Sequence, residues 1–254
     1  MDLNFREMGS GPALVIAHGL FGSSSNWQAI GRRLADRFRV LLVDMRNHGE
    51  SPWNDTMDYP SMAADLDRFI QQHADGRARV LGHSMGAKAA MVLAVSHAES
   101  VHSLAAVDVA PISYTSGFRR YTQALSDIPL NQIQSRREAE GWLTEVVHEP
   151  GVRAFLLHNL KRVDDRWAWR INIPVLHDAI HTIAGFPELG DARYQGPALL
   201  IAGGNSNYVT DAGAAAARML LPQLRLVAVP GAGHWVHSEQ PDHVAQLLGD
   251  FFVG

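Results

Sequence analysis

The chain has 254 residues, 46% hydrophobic and 19% charged, values of an ordinary globular protein with room for one large α/β core. Its 22 basic and 26 acidic side chains leave a formal net charge of -4, which offers no bulk attraction for nucleic acid or an anionic membrane. With no cysteine, a disulfide scaffold, a thiolate nucleophile and a zinc–thiolate site are all excluded.

Residues 1–6 show neither the basic start nor the apolar run of a signal peptide, and no stretch reaches the roughly 18 apolar residues of a membrane span. The expectation is a cytoplasmic protein without a membrane span. From there the chain alternates short apolar runs with helical patterns. Runs 13–17, 39–43, 78–81 and 104–109 read as strands, with helices expected around 27–35, 61–73 and 85–95. Ser61 is the expected cap of the second helix. Apolar runs joined through helices imply crossover connections, hence a parallel sheet buried on both faces. Ligands of such sheets sit at the carboxyl ends of the strands, where His18, Asp44, Ser84 and Asp108 fall.

The alternation breaks at Pro111. Residues 112–187 read as mostly helical and rich in aromatics, and we expect them to form a lid inserted into a core made of 1–111 and 188–254. Within it, Ser135 with Glu138 reads as a capping box opening a helix to about 147, and Pro150 as the start of the next. The core resumes with strand 198–202, helix 211–219, strand 224–229 and a last helix over 241–252.

Gly82-His83-Ser84-Met85-Gly86 matches G-x-S-x-G between an apolar run and a helix. That turn raises a serine above the sheet, with small flanking residues that let neighbouring backbone approach. A serine hydroxyl is a weak nucleophile at neutral pH and needs a base. Gly231-Ala232-Gly233-His234-Trp235 follows the last strand, and His234 is preferred over His237 because it directly follows the glycine pair. The acid that orients the imidazole is expected after the seventh strand, but Gly203-Gly204-Asn205-Ser206-Asn207 holds no carboxylate before Asp211, which reads as a helix cap. Asp108, after the sixth strand, is the preferred acid, because a carboxylate inside an apolar run is costly unless paired. Ser206 reads equally as a turn serine and as a hydrogen-bond partner of the His234–Asp108 pair. Two backbone N–H groups, of Leu20 and Met85, are expected to form the oxyanion hole, with Phe21 and Trp235 lining the substrate pocket. Asp44 to Ser51 reads as an ion pair and tight turn that brace the site. His177 and His181 stand four apart without a third ligand, so no metal is expected.

The segments HGLFGS (18–23), DMRNHGES (44–51), GHSMG (82–86), VDVAP (107–111), GGNS (203–206) and GAGHWVH (231–237) together resemble the bacterial YbfF-type esterases. The likeness covers nearly the whole chain and is weakest in the lid. It implies an α/β-hydrolase fold: a mostly parallel eight-stranded sheet, helices on both faces, and a small helical lid after strand six. It implies carboxylesterase activity on small acyl esters, with thioester hydrolysis a further possibility, and it favours Asp108 over Asp211. Where that family commonly continues GHSMG with another glycine, this chain has Ala87. No cofactor is required, and the expected partner is a small acyl ester or thioester; nothing in the sequence fixes the oligomeric state. The same residues would serve an acyl-CoA thioesterase or a carbon–carbon bond hydrolase of the ring-fission type. A non-catalytic ligand receptor is the reading from another class.

Overall fold

A computed structural model describes residues 1–115 and 117–253; Ser116, in the inserted segment, and Gly254 lie outside the described residues. The strands are β1 (Phe5–Met8), β2 (Ala13–Ala17), β3 (Arg39–Val43), β4 (Ala78–His83), β5 (Val101–Val107), β6 (Leu160–Val163), β7 (Arg166–Trp169), β8 (Ala198–Gly203) and β9 (Leu224–Val229). The core helices are α1 (Gln28–Leu34), α2 (Tyr59–His73) and α3 (Met85–Ser96). Between β5 and β8 the chain carries α4 (Phe118–Ser126), α5 (Arg136–Leu143), α6 (Pro150–Leu157), α7 (Ile173–Asp178) and α8 (Ile180–Ala184). The chain closes with α9 (Asp211–Leu220), α10 (Val236–Glu239) and α11 (Pro241–Val253).

Seven strands form one sheet in the order β1-β3-β2-β4-β5-β8-β9, all parallel except β1, which pairs antiparallel with β3. Period-2 alternation divides the strand side chains between two cores. Leu14, Ile16, Val40, Leu42 and Leu81 pack with residues of α1 and α11, whereas Val15, Ala17, Leu41, Val43 and Val80 pack with α2, α3 and the insertion. All ten are fully or almost fully buried, which is why these runs read as continuously apolar.

Three expectations need correction. The sheet has seven strands among the described residues, where eight were expected. The residues ahead of β1 add no strand; instead the Asn4 N–H donates to Ser51 Oγ and the Asn4 carbonyl accepts the Asp44 N–H. The strand carrying Asp108 is therefore the fifth in chain order. The insertion is not wholly helical: β6 and β7 form an antiparallel hairpin. Its two-residue turn, Asp164-Asp165, has both φ angles positive (46° and 63°), the conformation of a tight hairpin turn, though neither residue is glycine. Finally, α2 starts at Tyr59: Asp58 is its cap, accepting the Ser61 N–H at 2.7 Å, with Pro60 in the first turn. The Ser135 cap and the Pro150 helix start are as expected.

The segment between β5 and β8 is tied to α2 and α3 by polar contacts near its carboxyl end. Lys88, buried on α3, donates to the carbonyls of Ala184 (3.0 Å) and Gly185 (2.6 Å), and the Tyr59 hydroxyl donates to Ile183 O. These groups satisfy carbonyls left open at the end of α8. Burial pushes the Lys88 ammonium down to about 7. No helix among the described residues is long and apolar enough to cross a membrane.

Candidate active site

The loops at the carboxyl ends of β2, β4, β8 and β9 converge on one cavity of about 480 Å³. Ser84, between β4 and α3, has φ 51° and ψ −118°, a strained conformation for a residue with a side chain. The flanking glycines make that bend feasible. A Cβ on Gly82 would strike the Gly86 carbonyl and the Ala87 backbone, and one on Gly86 would strike the carbonyls of Ala17 and His18. The packing of α3 against β2 thus holds the hydroxyl above the sheet.

Asp108 follows β5 directly, also with positive φ (50°), and is fully buried. Its carboxylate receives three donors. The Gly203 N–H reaches Oδ1 at 2.8 Å, while Ser206 Oγ (2.5 Å) and His234 Nδ1 (2.7 Å) share Oδ2. That set is what makes a buried carboxylate tolerable. Donation from Nδ1 leaves Nε2 as the free nitrogen of His234. The His234 loop is fixed on its other side as well: His83 Nε2 donates to the His234 carbonyl (3.0 Å), and Glu239 accepts the Gly233 N–H (2.8 Å). Ser84 and His234 both line the cavity.

Of the two readings left open for Ser206, the hydrogen-bonding one matches the geometry. Asp211 stands apart, exposed in the first turn of α9, where Thr210 rather than Asp211 is the cap, accepting the Gly213 N–H. His177 Nδ1 pairs with Thr122 Oγ1 at 2.8 Å.

Leu20 and Met85 N–H groups have no hydrogen-bond acceptor among the described residues. The Phe21 N–H, by contrast, is taken by His48 Nε2 at 3.2 Å. Leu20 itself lines the cavity. Phe21 has φ 61°, and its carbonyl is held by Asn159 Nδ2 of the insertion at 2.8 Å. Phe21 and Trp235 line the cavity together with Phe118, Val152, Phe155 and Tyr208.

The 44–51 turn braces this loop, though by different bonds than an ion pair within the turn. Asp44 accepts the Ser24 N–H (2.6 Å), the Glu50 N–H (3.0 Å) and Asn4 Nδ2 (2.7 Å). Arg46 pairs instead with Asp65 of α2, at 2.6 Å. Two buried imidazoles complete the brace. His18 Nε2 accepts the Met45 N–H (2.9 Å), which puts its proton on Nδ1, donating to Gly19 O (2.8 Å). His48 Nδ1 donates to Arg46 O (2.9 Å) while Nε2 accepts from Phe21. Burial, with His18 nearby, pushes His48 down to about 3, and burial likewise lowers His18, so both stay neutral and keep these bonds. His237 is stacked on Trp27 at 4.1 Å, and burial pushes it down to about 3. It lines the cavity but is buried, and the carboxylate of Asp108 pairs with His234 instead.

The family model described as alpha/beta hydrolase fold matches residues 12–241. Among curated relatives, the sn-1-specific diacylglycerol lipase ABHD11 of Mus musculus is 38% identical over 95% of this chain and 81% of its own length. Esterase YbfF of Escherichia coli is 37% identical over 92% of this chain and 91% of its own. A solved marine microorganism esterase superposes with a TM-score of 0.95 at 38% identity, covering 98% of this chain and 99% of that one. The chain therefore belongs to the α/β-hydrolase fold family. Within that family it is an ester-hydrolysing enzyme of the YbfF type.

Proposed function

We propose that the chain is a carboxylesterase that cleaves small to medium acyl esters through an acyl-enzyme on Ser84. The observation that carries this reading is the hydrogen-bonded His234–Asp108 pair, whose imidazole lines the same cavity as the strained Ser84. Ser84 Oγ attacks the acyl carbonyl as its proton passes to His234 Nε2, and the resulting imidazolium is stabilised by Asp108. The negative charge that develops on the carbonyl oxygen is met by the N–H groups of Leu20 and Met85. Collapse of the tetrahedral intermediate expels the alkoxide, which takes the proton from His234 and leaves as the alcohol. Water then gives a proton to His234 Nε2 and attacks the acyl-enzyme, releasing the acid and restoring Ser84. Ser206 shares the buried oxygen of Asp108 and holds that carboxylate in register.

Residues 112–187 act as the cap of this site. They supply the apolar side of the cavity, through Phe118, Val152 and Phe155, against which an acyl chain packs. The relatives, an esterase and a diacylglycerol lipase, support ester over thioester or carbon–carbon bond substrates. The test is Ser84→Ala assayed on p-nitrophenyl butyrate and with a fluorophosphonate label. We expect turnover to fall by about 10⁴-fold or more and labelling to vanish, with the far-ultraviolet circular dichroism unchanged. Retained turnover would falsify the assignment.

A further inference from the structure

Of the rings around His234, one is stacked on it face to face and plays no part in the mechanism above. The ring of Tyr208, in the loop between β8 and α9, lies nearly parallel to the His234 imidazole, with centroids 4.0 Å apart and planes 20° from each other. Both rings face the cavity. Tyr208 is itself pinned at both ends of its peptide unit. Its N–H donates to Ser206 Oγ (3.2 Å), and its carbonyl accepts the Tyr114 hydroxyl (2.7 Å). Tyr114 stands near the start of the insertion, and its hydroxyl also takes the Ala110 N–H (2.7 Å). The groups around His234 are Asp108 from the end of β5, His83 from the end of β4, Tyr208 from the 203–210 loop, Trp235 beside it and His237 of α10, and Ser84 lines the same cavity.

We propose that Tyr208 is a positioning residue for the base: its ring fixes the plane of His234 and stabilises the imidazolium that forms as Ser84 attacks. The inference rests on the catalytic reading given above for Ser84 and His234. Asp108 alone fixes one atom of the imidazole, which still allows rotation about the line joining that bond to the ring. A flat ring stacked on one face removes this freedom. It also presents its negative π face to a charge that exists only after proton transfer, so the stacking is stronger in the transition state than in the ground state. The phenol stays neutral while doing this: burial, with Asp108 close by, pushes it up to about 12. The Tyr114 and Ser206 bonds hold the ring in place, so the entrance to the cap and the acid of the triad both act on the base through one aromatic residue.

The experiment compares Tyr208→Leu and Tyr208→Phe with the natural chain on p-nitrophenyl butyrate across the pH range. Loss of a cation–π contact predicts that Tyr208→Leu lowers kcat about tenfold with KM little changed, and moves the acid limb of kcat/KM down by about 0.5 on the pH axis. Tyr208→Phe, which keeps the ring, restores most of both. A Tyr208→Leu enzyme with the natural acid limb and kcat, or one altered in KM alone, overturns the proposal and leaves Tyr208 as a pocket wall. If Tyr208→Leu does not fold, Tyr114→Phe decides: it frees the Tyr208 carbonyl without touching the stack, and a kcat and acid limb moved in the same direction support the proposal while unchanged ones overturn it. The Ser84→Ala enzyme, measured alongside, keeps the two failures apart. Activity there removes the catalytic reading itself, whereas a dead Ser84→Ala with an unaltered Tyr208→Leu removes only the role of Tyr208.

Discussion

The core and the insertion meet the same cavity with different physics. Groups from the core are polar and each is fixed by bonds from other elements: Asp108 by three donors, His18 and His48 by backbone on both nitrogens, the Phe21 peptide by His48 and Asn159. Groups from the insertion are mostly apolar, partly buried, and held by packing, as Phe155 is against Trp235. Directional bonds hold atoms to within tenths of an ångström, whereas packing sets only shape. Changes in the core should therefore act on kcat and on the integrity of the fold, and changes in the insertion on which acyl group is accepted.

The sharpest way to test the core side is Asp108→Asn. The amide cannot accept from all three donors and stabilises the wrong imidazole tautomer, so kcat on p-nitrophenyl butyrate should fall by about 10³- to 10⁴-fold with KM nearly unchanged. A loss of less than tenfold would show that the buried acid is structural.

A smaller effect, on stability, follows from the neutral histidine of the brace. His48 is held near 3 in the folded chain and titrates at about 6.5 when unfolded. The unfolded chain thus binds the extra proton between those values, and the stability His48 contributes is complete above about pH 6.5 and is lost as pH falls toward 3. His48→Gln keeps an acceptor for the Phe21 N–H but no longer titrates. Urea unfolding between about pH 6.5 and pH 4 should then show a shallower loss of stability, by about 1.4 kcal/mol per pH unit for one proton. An unchanged slope would mean that His48 is already solvated.

On the insertion side, Phe155→Ala removes an apolar wall. KM for the butyrate ester should rise about tenfold, the scale of one buried aromatic contact, while longer acyl chains gain relative to it. A chain-length series of p-nitrophenyl esters reads this directly; an altered kcat at constant KM would break the division between the two regions.

The same division governs what the sequence reveals. The parallel strands are legible because both their faces are buried and their apolar runs are continuous, and the loops at their ends are then placed by topology. β1 (Phe-Arg-Glu-Met) and the β6–β7 hairpin are not legible: they are short, partly exposed and charged, and Asp164-Asp165 lacks the glycine that marks such turns. In the site, Ser84, His234 and Asp108 could be found from the order of strands and motifs. His48 lies in the 44–51 turn read as a brace, but the contacts of Tyr208 and Asn159 could not be found, because they run across the fold; Asn159 and the carbonyl it holds are 138 residues apart. The nearest signal was the position of Tyr208, two residues after Ser206.

Asp211 gives the smallest expected effect and the most direct check on that chain of inference. In the sequence it occupies the more usual place for the acid, after the strand that precedes the base. In the fold it is exposed in the first turn of α9, and the carboxylate on His234 is Asp108. What Asp211 contributes is a negative charge near a helix N-terminus, worth about 0.5 kcal/mol at an exposed position. Asp211→Asn should therefore leave kcat and the acid limb of the pH profile within about twofold of the natural chain, while the urea midpoint falls slightly. If kcat fell tenfold instead, the acid would reach the imidazole from the β8 loop, and the three donors on Asp108 would mark a structural carboxylate.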